Sequence, residues 1–267
     1  MKKNGKPIEE NKALVAFGGE NLPEGITQEE WSAIMKADLE KTMEGVIPRL
    51  PQIKILHAGA LTFKFPDESK QDEFEGIIVD QHPCNAFWEK DYSESGGGIP
   101  PTCSSLNGID GTVYGKCGKC EHNKFGTGKD GLGKACKNMK RLHILIGGDK
   151  LPFRLTLPPT SIATADEFFT SLFSKGFPLM SQVVKFSLNK AESAGGIEYS
   201  EIHLQAERQV DVNLYIELRR MVGTYLNQIR GQAVEAEEYF TEDKNGKPAF
   251  EADESEMAEP NPDNVPF

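Results

Sequence analysis

Gly115-Lys116-Cys117-Gly118-Lys119-Cys120 forms the centre of a segment that contains four of the five cysteines in this 267-residue chain. Their spacing is C-x13-C-x2-C-x15-C. Two cysteines separated by two residues place both thiolates on one tight turn, and outer cysteines can then complete a tetrahedral shell. We therefore predict a structural Zn²⁺, one per chain, whose ligands are Cys103, Cys117, Cys120 and Cys136. His122 or Cys84 could replace one of these ligands, and four free thiols are the alternative to a metal site.

The surrounding segment, about residues 81–141, is rich in Gly, Pro, Ser and Lys and has no apolar period. A loop of that length inside a compact domain needs something other than an apolar core to organise it. A bound metal satisfies this requirement. The segment is therefore predicted to be a zinc-stabilised insertion into a regular domain.

Outside the insertion, apolar periodicity predicts three helices and at least five short strands. Capping boxes at 27–30 and 164–167 open two helices, the first at about 28–44, and a third covers about 212–229. The predicted strands are 53–57 paired with 61–65, then 76–79, 142–146, 153–157, and a hairpin of 183–188 with 197–206. Because strands and helices do not alternate regularly, a small barrel-like antiparallel sheet is favoured over a parallel one.

Charge is distributed unevenly along the chain. Residues 234–267 contain eleven acids and two lysines, whereas residues 113–154 contain ten Lys or Arg and three acids. The composition predicts a flexible arm at 1–25, a globular domain at 26–233 and a disordered acidic tail at 234–267.

The basic segment also carries aromatic residues. Binding a single strand without reading its sequence requires cations that follow the phosphates and rings on which bases stack. The nucleic-acid-binding candidates are Trp88, Tyr114, Lys116, Lys119, Lys124, Phe125, Lys134, Lys137, Lys140 and Arg141. For any single residue, a solubilising lysine or a core ring is the alternative. The helical spacing of Phe168, Phe169 and Phe173 instead places these rings in the core.

The chain ends Asp263-Asn264-Val265-Pro266-Phe267. This ending resembles the Asp-x-x-Pro-Phe tip of bacterial single-stranded DNA-binding proteins, which docks replication, repair and recombination enzymes. The resemblance implies that Asp263, Pro266 and Phe267 bind replication or recombination proteins.

A second resemblance covers residues 103–199. Gly131-Leu132-Gly133-Lys134-Ala135-Cys136 and Gly195-Gly196-Ile197-Glu198-Tyr199 look like parts of a widespread phage and prophage protein. The combination of thiolate zinc and acidic tail is similar in plan to the T-even phage single-stranded DNA-binding protein. That protein has an OB-fold with a zinc-bearing insertion, but uses one His and three Cys at a different spacing and lacks the Pro-Phe tip. The resemblance implies an α+β, OB-like small antiparallel β-barrel with accessory helices, acting in the cytoplasm of a bacterial host cell.

The expected function is therefore single-stranded DNA coating, with recruitment of partners through the tail. No common catalytic motif is found in the sequence, which predicts that the chain is not an enzyme, and no apolar run is long enough for a membrane partner. Two alternatives remain. One is a zinc-finger-type duplex DNA-binding regulator, and the other is an adaptor or inhibitor of host replication proteins that does not bind DNA.

Overall fold

A computed structural model of the chain describes residues 25–42, 44–46, 49–56, 60–90, 99–128, 131, 133–149, 151–192, 198–235, 238, 241–242 and 248–249. The helices are α1 (Gln28–Thr42), α2 (Ile162–Ser174) and α3 (Val212–Arg230). The strands are β1 (Gln52–Ile55), β2 (Phe63–Lys64), β3 (Lys70–Gln71), β4 (Glu73–Phe87), β5 (Cys103–Ser105), β6 (Asp110–Gly111), β7 (Gly115–Lys116), β8 (Lys137–Leu145), β9 (Phe153–Leu157), β10 (Gln182–Glu192), β11 (Glu198–Gln209), β12 (Thr241–Glu242) and β13 (Pro248–Ala249). Almost all of the predicted N-terminal arm and the tip residues Asp263, Pro266 and Phe267 lie outside the described residues.

The main element is a strongly curled, half-barrel sheet in a mixed α+β fold. Its strand order is β11-β10-β4-β8-β9-β1-β2-β3, and β5 pairs with the end of β4. The pairings are antiparallel except for β1 with β9, which run parallel. Strand β4 is the longest and pairs with three others, so it joins the two halves of the sheet.

One face of the sheet carries the apolar core, and α2 packs against it through Ala165. Phe74 lies at the centre of this core, stacked on Phe186 at a ring-centroid distance of 4.6 Å. Phe168 and Phe169 pack against the core as predicted, but Phe173 is 84% exposed, so its assignment to the core was wrong. The third helix, α3, covers a separate apolar cluster.

Several predicted elements are confirmed. The capping box at α1 is formed, since Thr27 N donates to Glu30 at 2.8 Å and Glu30 N donates to the Thr27 hydroxyl at 3.2 Å. Strand β9, the β10–β11 hairpin and α3 also agree with the prediction. The second capping box is wrong, because α2 begins at Ile162 and residue 164 is already helical. None of the described helices is long and apolar enough to cross a membrane.

The predicted 76–79 strand is the largest error, since β4 has 15 residues and extends to Phe87. Its second half contains Asp80, His82 and Pro83, which are unusual in a buried strand. Asp80 and His82 are tolerated because they contact each other and Asp80 pairs with Arg230, whereas Pro83 is exposed. The insertion is accordingly shorter than predicted and lies between β4 and β8.

Candidate functional site

The four clustered cysteines come from three separate segments and line one small cavity. Cys103 begins β5 and pairs with Phe87 at the end of β4. Cys117 opens a single 3-10 turn that Cys120 follows, and Cys136 immediately precedes β8. Phe87, Tyr114 and Asn123 also line the cavity.

The short β6–β7 hairpin brings the C-x2-C turn against β5. Gly115 has φ +73°, a left-handed conformation that favours glycine. A Cβ added at Gly111 would lie 3.0 Å from the Cys103 sulfur, so only a glycine allows this approach without displacing the thiol. Backbone hydrogen bonds then fix the turn, including Cys117 N to Ile109 O at 2.8 Å and Cys136 N to His122 O at 2.7 Å.

The thiols differ in their electrostatic environments. Burial opposes ionisation of Cys103, but N–H groups of Tyr114, Val113 and Thr112 hold the pKa of its thiol below the usual range. Burial, and then repulsion from the other three cysteines, raises the pKa of Cys136 to about 12. All five cysteines of the chain are free thiols. A divalent cation among the four would neutralise the charge that they otherwise concentrate in one place.

A second group of possible ligands lies on strands β4 and β8. Asp80 Oδ2 is 3.3 Å from His82 Nδ1 and 3.1 Å from His143 Nδ1, and all three side chains are buried. This group could hold a metal ion, because its ligand atoms lie within 4.8 Å of one another. In the described part of the chain no other group of three such residues meets that separation, the cysteine sulfurs included.

The Asp80 group was missed in the sequence. Asp80 and His82 share a strand face because they are two residues apart, and the β4–β8 register places His143 opposite Asp80. Burial alone would raise the pKa of Asp80, but hydrogen bonds from His143, His82 and Arg230 hold this pKa well below its usual value. Burial lowers the pKa of His143 despite its contact with Asp80. An Asp-x-His alternation is the only local signal, and it becomes informative only once β4 is known to extend this far.

Most of the predicted nucleic-acid-binding residues lie on the insertion, and Tyr114 also lines the cysteine cavity. Tyr114 and Phe125 are 43% and 41% exposed, and Lys116, Lys119 and Lys124 are exposed. Lys116 forms an ion pair with Asp110. That these residues contact nucleic acid stays a prediction.

Three further candidates are only partly exposed. The ammonium of Lys134 lies 4.8 Å from the centre of the Phe125 ring, which is a cation–π contact. Lys137 is half-buried at the start of β8. Trp88 is also half-buried, and its indole N–H donates to the Ile99 carbonyl at 3.1 Å.

Lys140 and Arg141, also predicted to contact nucleic acid, are buried. Lys140 forms an ion pair with Asp166 and lies 5.5 Å from the Phe169 ring. Arg141 has no exposed surface, and its guanidinium donates four hydrogen bonds, two to Glu238 and two to backbone carbonyls. Both cations are therefore removed from the surface available to a ligand.

The second face of the sheet is covered by the end of α3 and by described residues that follow it, among them Val234 and Glu238. Arg230 forms an ion pair with Asp80, and Val234 packs against Cys84, Ala86 and Met139. Glu238 is completely buried and pairs with Arg141 at 2.6 Å. The prediction that the tail separates from the domain at residue 234 is therefore corrected, because the packed domain includes Glu238.

No protein-family model, curated protein or solved structure matches this chain.

Proposed function

We propose that this chain coats single-stranded DNA through the insertion between β4 and β8, which one structural Zn²⁺ holds in shape. A single observation carries the proposal: the exposed Tyr114 ring lines the same cavity as the four cysteines, and the exposed Lys116 and Lys119 directly precede Cys117 and Cys120 in the chain. The element that the metal would organise is thus also the element that presents rings and cations.

The zinc part of the proposal is supported by the scarcity of buried apolar side chains in the described part of the insertion. Within the described residues of 106–136, the buried apolar side chains are those of Cys117 and Cys136 alone. Two thiols do not provide enough buried surface to order a segment of this length. Four thiolate ligands on Zn²⁺ would provide the missing cross-link, and such structural sites contribute directly to folding.

The nucleic-acid part rests on two exposed rings and a retained set of cations. Tyr114 and Phe125 are partly exposed rings, the latter with Lys134 over one face, and each base–aromatic stack contributes about 1–3 kcal/mol. The predicted cations outside the buried pair Lys140 and Arg141 are Lys116, Lys119, Lys124 and Lys134 on the insertion and Lys137 at the start of β8, with Lys116 also paired with Asp110. If about five phosphates are neutralised, each should contribute about −0.7 to the slope of log affinity against log salt concentration, which is the value for single strands.

Single-stranded DNA is favoured over the duplex alternative because the insertion carries no reading helix. Among the described residues of 99–136 none is α-helical, and the 3-10 turns there include Cys117–Lys119 and Glu121–Asn123. Each has three residues, whereas zinc-finger readout of the major groove uses an α-helix. The curled half-barrel sheet is compatible with an OB-like barrel, a fold that binds oligonucleotides on its strands and loops.

The tip completes the proposed function. Asp263, Pro266 and Phe267 would recruit replication or recombination proteins in the cytoplasm of a bacterial host. A ring, a carboxylate and a rigid Pro at the chain end suit an apolar pocket bordered by cations.

Fluorescence anisotropy with a labelled single-stranded oligonucleotide tests the nucleic-acid interface. Tyr114→Ala and Phe125→Ala should each weaken binding about 5- to 150-fold, the equivalent of one lost stack. Phe173→Ala is the matched control, since it removes an 84% exposed ring on α2 and should leave affinity unchanged. Equal effects of all three substitutions, or no effect of the first two, would contradict the proposal.

A second set of variants tests the cations. Lys119→Ala and Lys124→Ala should each reduce the salt slope by about 0.7, because each removes one phosphate contact. Lys175→Ala, at an exposed position just after α2, is the control and should leave the slope unchanged. Unaltered slopes for the two insertion variants would place the interface elsewhere.

A further inference from the structure

We propose that a row of three lysines across one end of the sheet, Lys54, Lys64 and Lys70, binds phosphates of the same single strand that the insertion contacts. The inference rests on the proposed function for its ligand, and it assigns to that ligand a second contact surface. This surface is separate from the insertion, because its residues lie on β1, β2 and β3.

The first observation is the register of three neighbouring strands. Lys54 on β1 lies opposite Lys64 on β2, and Lys64 lies opposite Lys70 on β3. Adjacent strands are about 4.8 Å apart, so the row extends about 10 Å across the sheet. Three cations are thus held at regular intervals on one line perpendicular to the strands.

The second observation is the face on which the row lies. Ile53 and Ile55, on either side of Lys54, are buried in the core on the first face of the sheet. Successive side chains of a strand point to opposite faces, so Lys54 lies on the second face, with its two cross-strand neighbours beside it. Lys54 and Lys64 are partly exposed, and Lys70 is exposed. The row is therefore accessible from one side of the sheet.

The third observation is the electrostatic cost of the row. Like charges directly opposite each other on neighbouring strands destabilise a sheet. Glu68 pairs with Lys64 at 2.8 Å, but among the described residues no ion pair or hydrogen bond involves the Lys54 ammonium. The two other carboxylates of this hairpin, Asp67 and Asp72, accept hydrogen bonds from a backbone N–H and a hydroxyl. An anion bound along the row would offset the repulsion between the lysines.

The fourth observation is that the inner end of the same line already holds an anion. Strand β1 runs parallel to β9, and extending their register by one residue places Lys54 beside Thr156. Arg141 lies opposite Thr156 on β8. The Glu238 carboxylate accepts a hydrogen bond from each of these two side chains at 2.8 Å. One line of side chains thus binds a carboxylate of the chain at its inner end and carries the lysines at its outer end.

The spacing and charge of the row identify the class of ligand. Cations repeated along a line suit a polyanion, and proteins that bind single strands use a positively charged groove that follows the backbone. A lysine ammonium binds phosphate as a point charge, without the planar geometry that a guanidinium requires. OB-like sheets bind oligonucleotides on their strands as well as on their loops. The row therefore fits the sugar–phosphate backbone of single-stranded DNA.

The row and the insertion border the same face of the sheet. Lys137, where the insertion joins β8, is four residues from Arg141 and shares its face. Strand geometry places Lys137 about 17 Å from Lys54. A single strand that occupies an OB-fold site of about 4–16 nucleotides is long enough to contact both surfaces.

The salt dependence of binding tests the row, with a labelled single-stranded oligonucleotide of about 16 nucleotides as the probe. Lys54→Met and Lys70→Met should each reduce the slope of log affinity against log salt concentration by about 0.7, or about fivefold in affinity at about 0.1 M salt. Lys54→Arg keeps the charge and should keep the wild-type slope. Lys190→Met is the control, since it removes an exposed lysine of β10 and should leave the slope unchanged.

Urea unfolding without DNA separates a binding role from a structural one. Because Lys54 lies opposite another lysine, Lys54→Met should leave the unfolding midpoint unchanged or raise it. A lysine that held the sheet together would instead lower the midpoint when replaced. An unchanged salt slope, or a lowered midpoint, would overturn the proposed role of the row.

The insertion variants distinguish this inference from the proposed function. If Lys119→Ala and Lys124→Ala reduce the salt slope and the row variants do not, the row is overturned and the insertion interface stands. If only the row variants reduce it, the row is supported and the insertion interface is refuted. Absence of single-strand binding by the wild-type chain would overturn both.

Discussion

Glu238→Ala removes the carboxylate that fixes the start of the acidic tail on the domain. Glu238 accepts hydrogen bonds from Arg141 Nε at 2.8 Å, from Arg141 Nη2 at 2.6 Å and from the Thr156 hydroxyl at 2.8 Å. In the variant, the fully buried guanidinium keeps only its two backbone carbonyl acceptors. Breaking a buried ion pair by removing one partner costs about 3–5 kcal/mol. Total stabilities are about 5–15 kcal/mol, so the loss should be large.

Urea unfolding followed by circular dichroism measures this loss. Glu235→Ala is the matched control three residues earlier, since Glu235 pairs with Arg154 but is 53% exposed. It should cost less than Glu238→Ala, because the buried Arg154 keeps Glu238 as a second partner at 3.4 Å. Replacing both partners, as Arg141→Met with Glu238→Leu, should recover most of the stability because no buried charge is left unpaired. If Glu238→Ala and Glu235→Ala destabilise the protein equally, the buried pair and the corrected tail boundary are both refuted.

Three further predictions concern pH, the tail and the core. Burial alone would raise the pKa of Glu238, but Arg141 holds that pKa below its usual value, so the stabilisation from Glu238 is present above the unfolded pKa of about 4.3 and is lost as pH falls. In urea titrations, the difference in unfolding free energy between wild type and Glu238→Gln should therefore narrow in acid, and a constant difference would contradict this. Truncation after Glu238 should leave DNA binding unchanged or tighter and abolish capture of replication proteins. Truncation before Val234 should in addition lower the unfolding midpoint. Loss of DNA affinity in the chain that ends at Glu238 would contradict the tail's proposed role. Phe74→Ala should cost about 3–5 kcal/mol because its ring stacks on Phe186 in the core, and a loss below about 1 kcal/mol would show that this core is misplaced.

Local patterns in the sequence predicted the elements whose two faces differ. Strand β10 alternates buried and partly buried residues, and α1 is opened by a capping box that is formed as expected. The cysteine spacing likewise predicted a cluster, and the four thiols line one cavity.

The second sheet face could not be predicted because its covering comes from far along the chain. Arg141 resembles a surface cation in sequence, and its partner Glu238 is 97 positions later. The polar residues of β4 resemble a loop for the same reason. A composition that predicts a solvated tail says nothing about one glutamate that fills a buried site, so Glu238 was assigned to the wrong part of the protein.

Binding of equal-length single-stranded and double-stranded oligonucleotides, measured by anisotropy at two salt concentrations, tests the central claim most directly. We expect tighter binding to the single strand, and an affinity that falls about 100-fold for a fourfold rise in salt, from about five neutralised phosphates. Preference for the duplex would favour a regulator. Absence of binding to either would leave the tail, and not the insertion, as the functional part of the chain.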